Sequence, residues 1–262
     1  LGDVYKRQGW INASDLSTTD NRIEAVQKVL NEKYNNQERI SVYVKQLDTD
    51  RVAAINDEKS MYAASVAKLG VLYYAQERLS QKKLSLSDEY QYTAAVNGFP
   101  GAYDPDGSGK ISKIPDDKNY SLENLLKAVA QNSDNVATNI LGYYVTNQYD
   151  KAFQKSVDKA AATSWNMDKK ELTARAAGTL MEAVYRQNGD IINYLSSTDY
   201  DGERISKNID VPVAHKIGDA YDFKHDVAIV YADSPFILSI FTDKEGYDKI
   251  TSIADDVYGI LK

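Results

Sequence analysis

The chain has 262 residues, and its 38 acidic side chains outnumber its 31 basic ones, which gives a formal net charge of −7 at pH 7. This balance argues against nucleic acid as a partner, because binding to phosphates needs a concentrated basic surface. The hydrophobic share of 43% is typical of a globular protein of one large or two small domains. No apolar run approaches the roughly 18 residues of a membrane-spanning helix.

The chain has no cysteine and only two histidines, His215 and His225. The lack of cysteine excludes disulfides, thiolate metal sites and cysteine nucleophiles. A mechanism that needs a histidine base therefore has few candidates. At the start, Leu1–Gln8 has neither an apolar signal core nor a helical period. We predict that residues 1–20 are a disordered or non-native segment outside the fold.

The first elements are predicted to be a helix and a hairpin. Apolar side chains recur at helical spacing over Asn21–Tyr34. Apolar and polar residues then alternate over Ile40–Leu47, and the turn Asp48-Thr49-Asp50 leads into a second short strand over Arg51–Ile55.

The middle of the chain has the pattern of helices, and the end returns to strands. Helical periodicity predicts four segments: Ser65–Leu79, Leu122–Gln131, Val136–Val145 and Thr173–Gln187. Strand-like runs and a closing amphipathic helix follow at Val211–Ile217, Asp226–Ala232, Phe236–Thr242 and Tyr247–Leu261.

These elements predict an α+β fold. Strands from both chain ends would pair into one five-stranded antiparallel sheet flanked by helices, with an inserted all-helical domain. We expect residues 21–56 and 196–262 to form the sheet domain and residues 57–195 the helical domain. The active site is expected between the two.

Ser65-Val66-Ala67-Lys68 is the first segment that could carry chemistry. Residues three apart on a helix face the same way, so Lys68 can reach the Ser65 hydroxyl. A serine nucleophile needs an adjacent base, and a lysine serves when burial or a nearby cation lowers its pKa. The spacing alone is also met by two solvated residues, and it recurs at Ser80–Lys83 and Ser156–Lys159.

Two further segments are ambiguous when each is taken alone. Ser133-Asp134-Asn135 lies between two helical patterns and has the composition of a helix cap. Lys216-Ile217-Gly218 ends a predicted strand, where lysine is often a solvated edge charge and glycine a bulge.

Together, in this order, the three segments resemble the motif set of class A β-lactamases and penicillin-binding proteins. A Ser-x-x-Lys helix start is followed by Ser-Asp-Asn and then by a Lys-x-Gly strand near the C-terminus. The resemblance covers essentially Asn21–Lys262, and it implies a serine hydrolase of the β-lactamase and penicillin-binding transpeptidase superfamily.

The resemblance also implies roles for individual residues. Ser65 would be the acylated nucleophile and Lys68 its proton acceptor. Ser133 would pass the proton to the leaving nitrogen, and Asn135 would hold the substrate's side-chain amide. Lys216 would attract the substrate carboxylate and help to keep the pKa of Lys68 low.

The oxyanion hole implied by the resemblance uses the backbone N–H groups of Ser65 and Asp219, beside Gly218. The reaction would be attack on a strained lactam or on a D-Ala-D-Ala amide, leading to an acyl-enzyme on Ser65. It would use neither a metal nor another cofactor.

The sequence departs from the family pattern at two places. Active class A β-lactamases carry a glutamate, closely followed by Leu-Asn, in a loop after Ser-Asp-Asn. Trp165–Leu172 holds only Asp168 and Glu171, so we expect a shortened loop without its base, with Glu171 a weak substitute and a surface acid at a helix start the alternative. Ile217 stands where Thr or Ser is usual and removes a donor worth about 1–3 kcal/mol. Both changes predict acylation with slow hydrolysis.

Three other patterns are weaker. Asp104–Ile111 begins like an EF-hand loop, but Pro115 stands where a bidentate glutamate is needed, which favours a glycine-rich turn edging the cleft. His215 and His225 lack a clear carboxylate and make a poor zinc set. A Ser-His-Asp hydrolase is disfavoured because no G-x-S-x-G elbow exists.

The expected function is slow β-lactam hydrolysis through a Ser65 acyl-enzyme. The alternatives are a penicillin-binding D,D-peptidase that acts on peptidoglycan stem peptides and, in another class, a non-catalytic cell-wall-binding domain. We expect a monomer that is exported to the bacterial surface or beyond, with membrane contact only through an anchor upstream of Leu1.

Overall fold

A computed structural model of the chain describes residues 20–262. Leu1–Gln8 and nearly all of the predicted N-terminal segment 1–20 lie outside the described residues. The strands, numbered in chain order, are β1 (Ile40–Gln46), β2 (Val52–Ile55), β3 (Met61–Tyr62), β4 (Glu89–Gln91), β5 (Asn119–Ser121), β6 (Glu171–Leu172), β7 (Val213–Ala220), β8 (Phe223–Val230) and β9 (Phe236–Asp243).

The α-helices are α1 (Arg22–Tyr34), α2 (Lys68–Ser80), α3 (Leu122–Asn132), α4 (Asn135–Tyr144), α5 (Lys151–Ala161), α6 (Ala174–Gln187), α7 (Asp190–Leu195) and α8 (Tyr247–Leu261). Short 3₁₀ helices occur at Ala64–Ala67, Ala94–Asn97 and Arg204–Asn208. No helix in the described part of the chain is long and apolar enough to cross a membrane.

The main sheet has five strands in the order β2-β1-β9-β8-β7, and every neighbouring pair is antiparallel. The predicted α+β fold, with one sheet built from both chain ends, is therefore confirmed. Two small ribbons, β3 with β6 and β4 with β5, lie outside this sheet.

Alternating side chains give the sheet two apolar faces. Val42 and Leu238 belong to the cluster that α1 and α8 cover, whereas Tyr43 and Ile237 belong to a second cluster shared with α6 and the other helices. Burial of both faces explains why these strands are nearly continuously apolar. The second cluster carries the helices that position the site.

Strand β7 runs three residues farther than the sequence predicted, to Ala220. The prediction ended the strand before Gly218 because glycine usually weakens a strand. Here glycine is needed for steric reasons, because a Cβ on Gly218 would lie 2.6 Å from the Ala63 carbonyl oxygen. The strand therefore passes directly against the segment that leads into Ser65.

Helix α5 was missed by the sequence analysis. Asp150 caps it by accepting from the N–H groups of Ala152 and Phe153, each at 2.9 Å. Phe153 and Val157 are buried one turn apart. An Asp cap followed by this i, i+4 apolar pair is the signal that could have found the helix.

Candidate active site

Ser65 lies in a 3₁₀ helix, and the α-helix proper starts only at Lys68. The preceding residue, Ala64, has a φ of 48°, in the left-handed region that non-glycine residues rarely adopt. Such a conformation costs roughly 1–3 kcal/mol and persists only where neighbours hold it. Here the Tyr103 hydroxyl donates to the Ala64 carbonyl at 3.2 Å.

Lys68 is completely buried, and its amine binds the Ser-Asp-Asn segment. Nζ donates to the Ser133 carbonyl oxygen and to Asn135 Oδ1, both at 2.6 Å, and lies 3.5 Å from Ser133 Oγ. Within the described residues, Ser65 Oγ is not among the acceptors of this amine. In its neutral form the amine would use its two hydrogens in these two short bonds and would keep a free lone pair.

Electrostatics favour that neutral form. Burial first, and then the nearby Lys216 cation, hold the pKa of Lys68 well below its ordinary value. Desolvation penalises an ammonium, and a like charge in the same low-dielectric region adds to the penalty. Asp134 acts in the opposite direction and raises the pKa of Lys68. The net effect is a lysine suited to accept a proton.

Ser133 has a φ of 53° and ends α3, while the next residue, Asp134, caps α4. This reversal between two helices turns both Ser133 oxygens toward the lysines. Lys216 Nζ donates to Ser133 Oγ at 2.7 Å, and Lys68 holds the Ser133 carbonyl. The segment is both a helix cap and the meeting point of two buried amines.

The loop Asp104–Ile111 packs on the same segment. The Asp134 carboxylate accepts from the Lys110 and Ile111 N–H groups at 2.6 and 2.9 Å, and Asn135 Nδ2 donates to the Asp104 carbonyl at 2.7 Å. Gly109 has a φ of 125° and leaves no room for a Cβ beside Asp134. This loop is a glycine-rich turn at the edge of the cleft, as the sequence analysis favoured.

Lys216 is 1% exposed, so it is not the solvated edge charge that its strand position would allow. Burial lowers the pKa of Lys216 to about 7, and Asp226 opposes that effect. The amine also donates to the Ile217 carbonyl oxygen at 3.1 Å. A group of this kind changes charge near neutral pH and gains a proton when an anion approaches.

Two adjoining pockets, with volumes of 210 and 530 Å³, share Ser65, Ser108 and Asp219 in their walls. Asn135 lines the smaller pocket and Ile217 the larger one. The structure therefore brings together Ser65, Lys68, Ser133, Asn135, Lys216, Gly218 and Asp219, all the residues predicted for acylation and substrate binding.

Carboxylates at the cleft are mostly paired with cations. Asp219 accepts from Arg204 at 2.9 Å and from Lys224 at 2.5 Å, and Glu203 is paired with Arg204. Asp199 forms an ion pair with Lys110, whose Nζ lies 2.7 Å from the carboxylate. These carboxylates are therefore engaged in ion pairs within the wall of the cleft.

Glu171 lies away from this cleft. It is exposed in β6, opposite Tyr62, and lines two other pockets that do not include Ser65. Nor is it in the first turn of a helix, because α6 begins only at Ala174. Asp168 is exposed as well. Among the charged residues of this segment, Lys170 is the buried one, with 6% exposure.

Three residues at the site were missed by the sequence analysis. Tyr103 lines the smaller pocket, and its ring centroid lies 4.5 Å from Lys68 Nζ. Arg204 lines the larger pocket and stacks on Tyr247 with a guanidinium-to-centroid distance of 3.8 Å. Lys170 contacts Tyr103. No motif marks them, because loop contacts distant in sequence create their positions.

The two histidines have separate, buried environments. His215 Nδ1 lies 3.1 Å from both Asp226 oxygens, and Nε2 lies 3.1 Å from Asp201 Oδ1. The expectation that no clear carboxylate accompanies the histidines is thus wrong for His215. Although burial opposes it, these two carboxylates raise the pKa of His215 to about 9. His225 contacts the Tyr62 carbonyl oxygen at 2.9 Å instead.

The fold is similar to those of β-lactamases and of a penicillin-binding protein. PBP-A has a TM-score of 0.73 at 15% identity, with 92% of this chain and 96% of PBP-A covered. A PBP-A variant, solved as an acyl-enzyme complex with penicillin G, has a TM-score of 0.73 at 15% identity, with 91% of this chain and 95% of the variant covered. The extended-spectrum β-lactamase TLA-3 has a TM-score of 0.73 at 17% identity, with 93% of this chain and 99% of TLA-3 covered.

A family assignment comes from the sequence itself. No curated protein sequence gives a significant match. The family model described as the β-lactamase enzyme family, in contrast, matches residues 21–261. Family and fold together support a serine β-lactamase-like hydrolase. Since the match spans almost the whole chain, this protein belongs to the β-lactamase enzyme family.

Proposed function

We propose that this protein opens β-lactam amides through an acyl-enzyme on Ser65 and releases the acyl group slowly. The observation that carries the proposal is the pair of buried amines, Lys68 and Lys216, that converge on Ser133 beside Ser65. Burying two lysines costs folding free energy, which points to a role that uses their lowered pKa. Acyl transfer from a serine is such a role.

In the acylation step, Ser65 Oγ attacks the lactam carbonyl carbon while its proton passes to neutral Lys68 Nζ. The carbonyl oxygen becomes an oxyanion that the backbone N–H groups of Ser65 and Asp219 stabilise. The C–N bond then breaks. Lys68 gives its proton to the leaving nitrogen through Ser133 Oγ, which lies 3.5 Å from the amine, and leaves a Ser65 ester.

Substrate binding uses the two walls of the cleft. Lys216, which can gain a proton near neutral pH, attracts the substrate carboxylate. Asn135 Oδ1 is engaged by Lys68 and its Nδ2 by the Asp104 carbonyl. The exposed edge of this side chain contacts the substrate's side-chain amide. Ile217 offers no hydroxyl to the carboxylate, which weakens binding relative to a Thr or Ser at that place.

Deacylation needs a base that activates water, and the cleft offers a poor one. Asp199, Glu203 and Asp219 are paired with cations, and Glu171 lines different pockets. Asp104, which lines the smaller pocket, uses its carboxylate to accept from the Asp106 N–H at 3.0 Å within its own turn. Loss of a positioned general base commonly lowers a rate by about 10²–10⁴-fold. The acyl-enzyme is therefore long-lived.

A penicillin-binding D,D-peptidase is the second candidate, and the exposed position of Glu171 favours it. A long-lived penicillin adduct is the behaviour of a protein whose own substrate is an acyl-D-Ala-D-Ala peptide. Release of D-Ala from such a peptide would support this candidate. Either substrate reaches the enzyme outside the cytoplasm, so the proposal includes export to the bacterial surface.

Intact-mass spectrometry after incubation with penicillin G tests the proposal. We expect one added penicillin in the wild-type protein and none in Ser65→Ala. Ser80→Ala is the matched control, because Ser80 begins the Ser-x-x-Lys match at the end of α2. The PBP-A variant forms an acyl-enzyme with the same compound, which supports it as the probe.

Two results would overturn the proposal. An adduct that still forms in Ser65→Ala would show that another residue is the nucleophile. Absence of an adduct in the folded wild-type protein, together with retention on insoluble peptidoglycan, would support the non-catalytic cell-wall-binding domain instead.

A further inference from the structure

The ring of Tyr103 contacts two lysine amines. Its centroid lies 4.5 Å from Lys68 Nζ and 4.5 Å from Lys170 Nζ, so the two nitrogens are no farther apart than twice that distance. The ring itself is held firmly. The Tyr103 N–H donates to Asn139 Oδ1 at 2.7 Å, Asn139 Nδ2 donates back to the Tyr103 carbonyl at 2.8 Å, and the phenol binds Ala64.

Lys170 is built into this position by its backbone. Its φ is 52°, which is unfavourable for a non-glycine residue, and its carbonyl oxygen accepts from the Ala63 N–H at 2.7 Å. Its Nζ donates to the Gly101 carbonyl oxygen at 2.8 Å. The neighbouring Lys169 is exposed. The fold therefore turns one lysine of a consecutive pair inward. Its backbone binds Ala63, which lies two residues before Ser65.

We propose that Lys170 is a positioning residue for acylation: its buried ammonium group, against the Tyr103 ring that Lys68 also contacts, disfavours a proton on Lys68 and so keeps that amine ready as the base. The inference rests on the proposed function of Ser65 and Lys68. Lys170 would thus be a second cation, besides Lys216 on β7, that keeps the pKa of Lys68 low.

The physical basis is like-charge repulsion in a region that excludes water. Two unit charges ~9 Å apart at an effective dielectric constant of ~20 interact strongly enough to move a pKa by about one unit. Lys170 is among the groups that lower the pKa of Lys68, after burial and Lys216. Burial also lowers the pKa of Lys170, whereas Asp168 raises it.

Lys170 keeps its proton more readily than Lys68 because their electrostatic surroundings differ. Asp168 favours the charge on Lys170. Lys68, in contrast, is completely buried and has the Lys216 amine as a neighbour, and both effects disfavour its charge. The ionisable groups that face Lys68, Lys170 or Tyr103 are Lys113, Asp134, Lys216, Asp168, Tyr62 and Tyr149.

The test is the pH profile of acylation by a fluorescent penicillin, from about pH 5 to about pH 10, read as the second-order rate constant. On the acidic side the midpoint reports the pKa of the base. We expect Lys170→Met to move this midpoint upward by about one pH unit. Lys170→Arg, which keeps the cation, and Lys169→Met, which removes an exposed one, should stay within about 0.3 unit of wild type.

A purely structural role for Lys170 would lower the rate at every pH without moving the midpoint. That result, or an equal shift in Lys169→Met, overturns the inference. If Lys170→Met does not fold, NMR titration of the lysine ¹³Cε signals in the wild-type protein decides. We expect Lys170 to stay charged at a pH where Lys68 is already neutral, and the reverse order contradicts the inference.

The two proposals fail in different ways. A wild-type protein that is not acylated at any pH refutes the proposed function, while the NMR titration still measures the order in which the two amines lose their protons. An acylated wild type whose midpoint does not depend on Lys170 refutes only the further inference.

Discussion

Two regions that contact the residues around Ser65 differ in the side chains that they bury. Lys68 donates to the Ser133 carbonyl oxygen and to Asn135 Oδ1 at 2.6 Å, and Lys216 donates to Ser133 Oγ at 2.7 Å. In the segment Trp165–Leu172, by contrast, Glu171 is exposed and Lys170 is buried. One region holds the groups that acylation needs, and the other directs a cation inward and its acids outward. The difference teaches that formation and hydrolysis of an acyl-enzyme have separate structural requirements.

Both regions contain unfavourable backbone geometry. Ala64, Ser133 and Lys170 all have a φ near 50°, in the left-handed region. Each costs roughly 1–3 kcal/mol, so packing and hydrogen bonds elsewhere must compensate for it. The Tyr103 hydroxyl on Ala64 and the Ala63 N–H on Lys170 are two such bonds. Strain therefore accompanies both the acylation groups and the inward lysine.

The largest effect is expected from Lys68→Met, which removes the base and keeps the length of the side chain. Acylation by penicillin G should slow by about 10²–10⁴-fold, because no other amine takes the Ser65 proton. Stopped-flow or quenched mass spectrometry measures the rate. Lys83→Met, from the Ser-x-x-Lys match that begins at Ser80, is the control and should retain the wild-type rate. Equal rates in all three proteins would break the first half of the comparison.

A smaller effect concerns the strand that carries Lys216. The raised pKa of His215, about 9, means that its stabilising contribution is complete below the unfolded value of 6.5 and is lost as pH rises through 9. The stability difference between wild type and His215→Gln should shrink by about 2–3 kcal/mol between about pH 6 and about pH 10. Urea unfolding at both pH values measures it.

His225→Gln is the matched control for this experiment. Burial lowers the pKa of His225 to about 4, so this histidine stays neutral over the whole interval. Because the unfolded imidazole, with its pKa of 6.5, still binds a proton at about pH 6, substitution of His225 should cost up to about 1 kcal/mol more at about pH 10 than at about pH 6, a change of opposite sign to that for His215. A pH-independent cost for His215→Gln would show that the charged imidazole does not hold β7 to Asp201 and Asp226.

The smallest effect is expected from Glu171→Gln. Because Glu171 lines pockets that exclude Ser65, the decay rate of the penicillin acyl-enzyme should change by less than about twofold. Mass spectrometry of the preformed adduct over time measures this decay. A tenfold or greater lengthening of the adduct lifetime would make Glu171 a deacylating base and would break the second half of the comparison.

Local patterns predicted much of this molecule. Alternation over Ile40–Leu47 and strand-like runs near the C-terminus located the strands of the main sheet, and the three short motifs located the residues that meet around Lys68. Lys170 and Arg204 could not be found in this way, since their burial depends on left-handed turns and on partners distant in sequence. Gly218 suggested the end of a strand in the sequence. The structure explains this glycine by its close approach to the Ala63 carbonyl, a tertiary contact that no local pattern shows.

The central claim is that this protein forms an acyl-enzyme readily and hydrolyses it slowly. The most direct test is the number of penicillin G molecules opened per protein molecule over time. We predict a burst of about one equivalent followed by turnover far below ~1 per second, the lower end of the range for typical enzymes. Steady hydrolysis at ~1 per second or faster, with no accumulated Ser65 adduct, would contradict the account.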